Sequence, residues 1–409
     1  MISAEAAQVA IPWGCWSQES DLVLPFSAHF TVQVNAMRGA PACPTQALAE
    51  AIRAPIDSKP LRELAAGART AVIAVDDITR PTPLAAALAL ILAEMAAIPS
   101  ENVRILIALG AHRPMVRAEL EQKLGPDALD EFDVEQHHPY ENLIHLGTSS
   151  RGTPIWLNRS FYEADLKVGF GSVMPHPYMG FGGGAKLVVP GLAGIETLQA
   201  NHQPAVTGIS GGLNNPDVDA RRDVEEIALK AGLAFSCNSV VNERRKIAGL
   251  FCGHPVAAHR AAARFARQTY ATDAPGAPYD VVCLNAYPKD GELLQVGNAF
   301  SCYRSSSRPL LKNEGTLVVT ASCHLGRGHH SLHGRAMRLY KSPASKPFLG
   351  GREVLFFSPH LSESDVRVSF APEYRFFRSW ETLISYLEMK HPAPASVGVF
   401  PTAPLQILD

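Results

Sequence analysis

Charge is scarce in this chain: Asp, Glu, Lys and Arg together make up 19% of its 409 residues, and the formal net charge is −2. Without a basic excess there is no field to draw in nucleic acid or an anionic membrane, so the expected ligand is a small molecule. No C-x-x-C pair occurs among the seven cysteines, Cys15, Cys43, Cys237, Cys252, Cys283, Cys302 and Cys323. An odd and scattered set cannot close completely into disulfides, and the expectation is reduced core thiols in a cytoplasmic protein. The opening stretch MISAEAAQVAIPWG has no basic residue ahead of an apolar run and does not read as a secretion signal. The most apolar run, Leu84 to Ile98, contains Glu94 and is too short to cross a bilayer, so it reads as a buried helix. Internal repeats and low-complexity segments are also lacking, which excludes solenoids and disordered linkers as the main architecture.

What the chain does have is apolar content, 46% of its residues, enough for two or three domains of roughly 150 residues each. From Leu61 onward, short β-rich runs alternate with longer helical ones, the pattern of an α/β fold with largely parallel sheets. AVIAV (Ala71 to Val75), VRILIAL (Val103 to Leu109) and LKVGFG (Leu166 to Gly171) read as strands. Helices are expected over Pro83 to Ala97, Met115 to Lys123 with Pro114 in its first turn, Asp217 to Ala231 and Pro255 to Thr269. TDAPGAPYD (Thr272 to Asp280) has the Pro, Gly and Asp content of an interdomain connection. Beyond it DVVCLNA, TLVVTAS, EVLFFS and ASVGVF read as strands, with a helix over Ser379 to Met389, so two α/β domains are expected, 1–272 and 273–409.

Loops at the C-terminal ends of parallel strands are where such sheets bind ligands, and three polar clusters fall there. Asp76-Asp77-Ile78-Thr79-Arg80-Pro81 follows the first strand. Arg80, held by Asp77, could fork onto a substrate carboxylate; the alternative is a purely structural turn pair. Gly110-Ala111-His112-Arg113-Pro114 follows the second, where His112 could serve as a general base or be only a satisfied loop histidine. The third is MPHPYMGFGGGAKLVVPG (Met174 to Gly191), in which His176 and Lys186 flank Gly182, Gly183 and Gly184, with His202 downstream. Three glycines would let backbone N–H groups approach an anion, yet Ala185 and Leu187 around Lys186 break the Walker A pattern. Lys186 could be desolvated and reactive, or a solvated turn lysine.

Taken in order, DDITRP, LGAHRP, PHPYMGFGGGAKLVVPG, ETLQANH and AYPKDGELLQ resemble the lactate racemase family, whose members carry a nickel pincer nucleotide. The resemblance implies an α/β fold of two domains with an active-site cleft between them: residues 1–272 catalytic and cofactor-binding, 273–409 closing the cleft, the last residues able to pack back on the first domain. It implies covalent attachment of the pincer (pyridinium-3,5-bisthiocarboxylic acid mononucleotide nickel) at Lys186 beside Gly182, Gly183 and Gly184, with His202 as nickel ligand. Imidazole suits Ni(II) in a square-planar site. His112 and His176 then become paired acid/base residues and Arg80, fixed by Asp77, binds the carboxylate of a small 2-hydroxy acid. The implied reaction is racemisation or epimerisation by proton-coupled hydride transfer through a 2-keto acid.

One segment departs from the lactate-specific pattern. After the YP-x-D motif, Leu294 and Asn298 stand where a tyrosine and a lysine are expected, and only Gln295 is kept among these substrate-binding positions. A different side chain on the 2-hydroxy acid is therefore expected, unless Arg304 or Lys289 supplies the missing charge. Two other readings stand beside this one: a non-catalytic homologue binding hydroxy acid or cofactor, and a metal-dependent hydrolase drawing on His329, His330 and His333, although no H-E-x-x-H motif accompanies them.

Overall fold

The computed structural model describes residues 7–17, 19–206 and 213–408. They form a mixed α/β structure that divides into two compact units, one of residues 40–269 and 330–340, the other of 1–39, 270–329 and 341–409. The expected continuous domain 1–272 differs from this division at both ends. Residues 1–39 group with the C-terminal unit because the strand Phe30–Val34 extends its sheet, pairing in parallel with Ala395–Phe400. Residues 330–340 return to the first unit, where Leu339 is buried in the core among Leu106, Val188 and Leu198.

The unit of 40–269 and 330–340 is built on a six-stranded sheet in the order Ile247–Gly253, Phe235–Val241, Leu166–Ser172, Ala71–Val75, Val103–Ile107, Asp133–Gln136. All neighbours are parallel except the first two. Ala71–Val75 and Leu166–Ser172 are buried along their whole length, as strands covered on both faces must be, which is why they read as unbroken apolar runs. Helices Ala85–Ala93, Arg117–Leu124, Asp219–Lys230 and Pro255–Tyr270 follow the expected order. The first is shorter than its apolar run, and the second begins three residues beyond Pro114, where Glu119 caps the N–H of Val116 at 2.8 Å. The strands Leu166–Ser172, Ala71–Val75 and Val103–Ile107 are adjacent, so the three polar clusters leave the sheet side by side.

The other unit has a six-stranded, all-parallel sheet in the order Tyr374–Phe377, Val354–Phe357, Leu311–Thr320, Tyr279–Asn285, Ala395–Phe400, Phe30–Val34. An antiparallel hairpin, Ala7–Trp13 with Ser20–Phe26, packs Ile11, Leu24 and Phe26 into its core. The last strand, Ile407–Leu408, pairs with Ala271–Thr272. None of the seven cysteines is in a disulfide; six are buried and Cys43 is half-buried. Among the described residues, no helix is long and apolar enough to cross a membrane.

Candidate active site

The turn after Ala71–Val75 is held from beneath by a buried lysine that the sequence did not single out. Lys123, with no exposed side-chain surface, pairs with Asp76 at 2.8 Å and donates to the carbonyls of Arg80 at 2.9 Å and Thr82 at 3.1 Å. Asp76 also accepts from the Thr82 hydroxyl at 2.5 Å and the Ser172 N–H at 3.2 Å, tying two neighbouring strand ends together. A buried charge survives only when paired and hydrogen-bonded, so this network fixes the backbone on which Asp77 and Arg80 stand.

Asp77 is buried and divides its two oxygens. Oδ1 accepts from the N–H of Thr79 at 3.0 Å and its hydroxyl at 2.6 Å; Oδ2 accepts from Nδ1 of His112 in a short hydrogen bond. Arg80 donates to the Thr79 hydroxyl at 2.7 Å, so Asp77 is linked to Arg80 through Thr79 while its other oxygen orients His112. Burial raises the Asp77 carboxyl, but His112, by its charge when protonated and by its hydrogen bond, followed by Arg80 and Thr79, outweighs it and holds the group well below the usual carboxylate range. For His112 burial is the largest influence and lowers the imidazole below its ordinary value; Asp77 opposes this, while His330 and Arg80 add to it. The pair is thus a carboxylate and a neutral imidazole whose Nδ1 proton faces Asp77, leaving the lone pair on Nε2. That Nε2 lies 3.1 Å from Nε2 of His330. Gly110 makes the turn possible: its φ is +55°, and its N–H donates to the Gly191 carbonyl at 2.8 Å.

His176 is set the other way. Its Nδ1 accepts from the backbone N–H groups of Tyr178 and Met179, each at 3.3 Å, so Nε2 is the nitrogen turned toward Lys186. Lys186 Nζ lies 3.4 Å from that Nε2 and 3.6 Å from the sulfur of Met179. The sequence placed the two residues ten positions apart, and the short pairing of Pro175–His176 with Gly180–Phe181 folds them together.

The three glycines have a packing reason. Gly183 has φ +70° and ψ −174°, and a Cβ there would stand 2.9 Å from the Ser172 carbonyl; one on Gly184 would meet His259 at 3.0 Å. The Gly182 N–H, expected to face an anion, donates instead to the Met174 carbonyl at 2.8 Å. Beneath the loop, fully buried Arg221 donates twice to the Gly183 carbonyl, both at 3.2 Å, and to Glu225 at 3.0 Å. Burial pushes this guanidinium down to about 10 although Glu225 opposes it, so it stays charged.

His202 stands on the helix Ile195–Val206 and bonds the Leu198 carbonyl through Nδ1 at 2.7 Å. A ring that donates Nδ1–H to a backbone carbonyl is in the tautomer through which an imidazole can ligate a metal by Nε2. His333 faces it edge-on, with ring centroids 6.2 Å apart. Among the described residues no group of three or more His, Cys, Asp or Glu side chains is arranged to hold a metal ion.

Gln295, Leu294 and Asn298 lie in the other unit on the 3-10 helix Leu293–Ala299. Gln295 is buried and Leu294 is exposed; Asn298 donates to the Gln295 carbonyl at 2.8 Å and accepts from Lys289 Nζ at 3.4 Å. Arg304 instead packs over the Phe348 ring at 5.4 Å.

Residues 19–210 match the lactate racemase N-terminal domain. The chain is 34% identical over 288 residues to the lactate racemase of Thermoanaerobacterium thermosaccharolyticum, covering 68% of this chain and 66% of that protein. It is 30% identical over 281 residues to the lactate racemase of Lactiplantibacillus plantarum, covering 67% and 65% respectively. The matched part thus spans just under two thirds of these curated relatives. The fold is similar to the solved lactate racemase apoprotein of T. thermosaccharolyticum, with a TM-score of 0.77 and 24% identity over 98% of this chain and all of that one. A crystallised Thermotoga maritima protein is similar at a TM-score of 0.63 and 17% identity, over 87% of this chain and 99% of that one.

Proposed function

Since the chain belongs to the lactate racemase family, we propose that it is an isomerase that inverts C2 of a small 2-hydroxy acid. The observation that carries this reading is the opposite setting of the two histidines: His112 turns Nδ1 to the Asp77 carboxylate and offers Nε2 as the base, whereas His176 turns Nδ1 to two backbone N–H groups and presents Nε2 beside Lys186. Inversion needs a base for the hydroxyl proton of one enantiomer and an acid to return a proton for the other. His112 takes the hydroxyl proton, and Asp77 stabilises the imidazolium that results, holding its Nδ1–H throughout. On the return His176 acts in its protonated form, giving a proton from Nε2 and being left as the neutral ring. Arg80, with its guanidinium anchored on Thr79, binds the substrate carboxylate.

The residues present fit a nickel pincer nucleotide. Lys186 is the point of attachment, held by the glycine loop and its Arg221 brace, and His202 supplies the neutral Nε2 ligand that its Leu198 bond prepares. When bound, this group supplies removal and return of the hydrogen at C2, which these side chains do not provide. The chain's own task is to orient the hydroxy acid, move its proton and keep the planar 2-keto acid from being lost.

The test is protein produced in cells able to make the pincer. One nickel per chain, an adduct mass on the Lys186 peptide and exchange of the C2 hydrogen of a 2-hydroxy acid are expected. A folded Lys186→Ala variant that keeps the full adduct mass removes the attachment assignment, and absence of C2 exchange across a broad panel removes the reaction.

A further inference from the structure

Residues 330–340 are a strap laid across the unit that holds His112. At one end the Leu332 N–H reaches the Ala111 carbonyl at 3.5 Å, and Leu339 closes the strap on itself through a 3.0 Å bond to the Leu332 carbonyl. At the other end Arg338 donates to Gln199 at 3.0 Å and pairs with Glu196 at 3.7 Å, both on the helix that carries His202. Burial of Leu339 gives the strap an apolar anchor, and the strap delivers the His330 ring to within 4.1 Å of the His112 ring, centroid to centroid.

We propose that His330 is a positioning residue for His112: it completes the line Asp77, His112, His330 and holds Nε2 of His112 as a hydrogen-bond acceptor until a substrate hydroxyl takes that place. The argument is one of proton counting. His112 gives its Nδ1 proton to the Asp77 bond, so at 3.1 Å the hydrogen between the two Nε2 atoms belongs to His330. A hydroxyl group offers the same kind of donor to the same lone pair. When the hydroxyl replaces His330, its proton passes to Nε2 of His112, the positive charge forms against Asp77, and His330 keeps its own proton. The groups facing His112 are Asp77, Arg80 and His330; His333 faces His330 from the same strap, with ring centroids 5.6 Å apart. His330 stabilises the neutral form of His112 by donating to it, and a proton on both rings would set two like charges side by side. Asp77 works in the opposite direction.

This inference rests on the proposed acid/base role of His112, and its test includes an arm that needs no turnover. In full-length protein with isotope-labelled histidine, the His112 resonance, assigned by its loss in His112→Asn, is titrated by NMR. His330→Phe, of similar size but without a ring N–H, is expected to titrate at higher pH than the unaltered chain; His330→Gln, which keeps an N–H donor, is expected to fall between them. In the loaded enzyme kcat/KM of His330→Phe should drop roughly three- to tenfold near about pH 5.5 and stay within about twofold near about pH 8. Superimposable titration curves, or a uniform loss at every pH with the acid limb unmoved, would overturn the proposal by leaving His330 only a structural part. A shifted His112 titration in a protein that racemises nothing would support the coupling and defeat the proposed function instead.

Discussion

A neutral imidazole has one donor and one acceptor nitrogen, so whatever engages the first dictates the task of the second. In His112 the Asp77 carboxylate takes the donor; in His176 two backbone N–H groups take the acceptor. Asp77→Asn is expected to lower kcat by roughly 10²-fold or more, since the amide no longer stabilises the imidazolium. The acid limb of the pH profile gives the sign. Asp77 raises the His112 value against the downward pull of burial, so its removal moves the limb to lower pH. A limb that moves upward would show that His112 is not the base being read. His202→Ala should lose nickel to a chelator that leaves the unaltered protein loaded, measured as metal per chain after dialysis. His112 and Arg80 were legible as candidates because they follow strands, but the partner that orients His112 lies 35 positions away and was assigned to Arg80. Hydrogen bonds between loops leave no local pattern in a sequence.

Strands buried on both faces announce themselves as unbroken apolar runs, and each of those read from Leu61 onward is a strand with ends shifted by a few residues. The glycine-rich loop was legible as unusual, although the reason for its glycines was not. Gly183 occupies a region of φ and ψ that only glycine enters easily, with the Ser172 carbonyl where a Cβ would go. Gly183→Ala is therefore expected to destabilise the unit by about 1–3 kcal/mol, read as a lower denaturant midpoint, even in protein without cofactor. A variant as stable as the original would mean that the loop adopts another conformation. Lys123 and Arg221 escaped notice because a charged residue on a helix reads as solvated, and only packing reveals that both are buried beneath the Asp77–Arg80 turn and the glycine loop.

At the scale of the whole molecule, the proposed substrate-reading positions Leu294, Gln295 and Asn298 carry a test of their own. Lys289 stands 3.4 Å from Asn298, whereas Arg304 packs over Phe348, so of these two cations Lys289 is the one proposed to take the part of the missing lysine. A charge-assisted hydrogen bond contributes about 1.5–3 kcal/mol, and Lys289→Met is expected to reduce kcat/KM roughly tenfold or more across a panel of 2-hydroxy acids. Lactate is expected to rank below acids with larger or polyhydroxylated side chains, and lactate emerging as the best of the panel would refute the reading of Leu294 and Asn298. The sequence by itself determined the fold class, the strand order along the chain and the motif residues, because these are written in local periodicity and in ordered motifs. Only the tertiary structure decided that Phe30–Val34 completes the C-terminal sheet, that 330–340 return to the first unit, and that His330 meets His112 across 218 positions. Those contacts come from sheet edges needing partners and from an apolar anchor at Leu339, forces that act in space and are indifferent to separation along the chain.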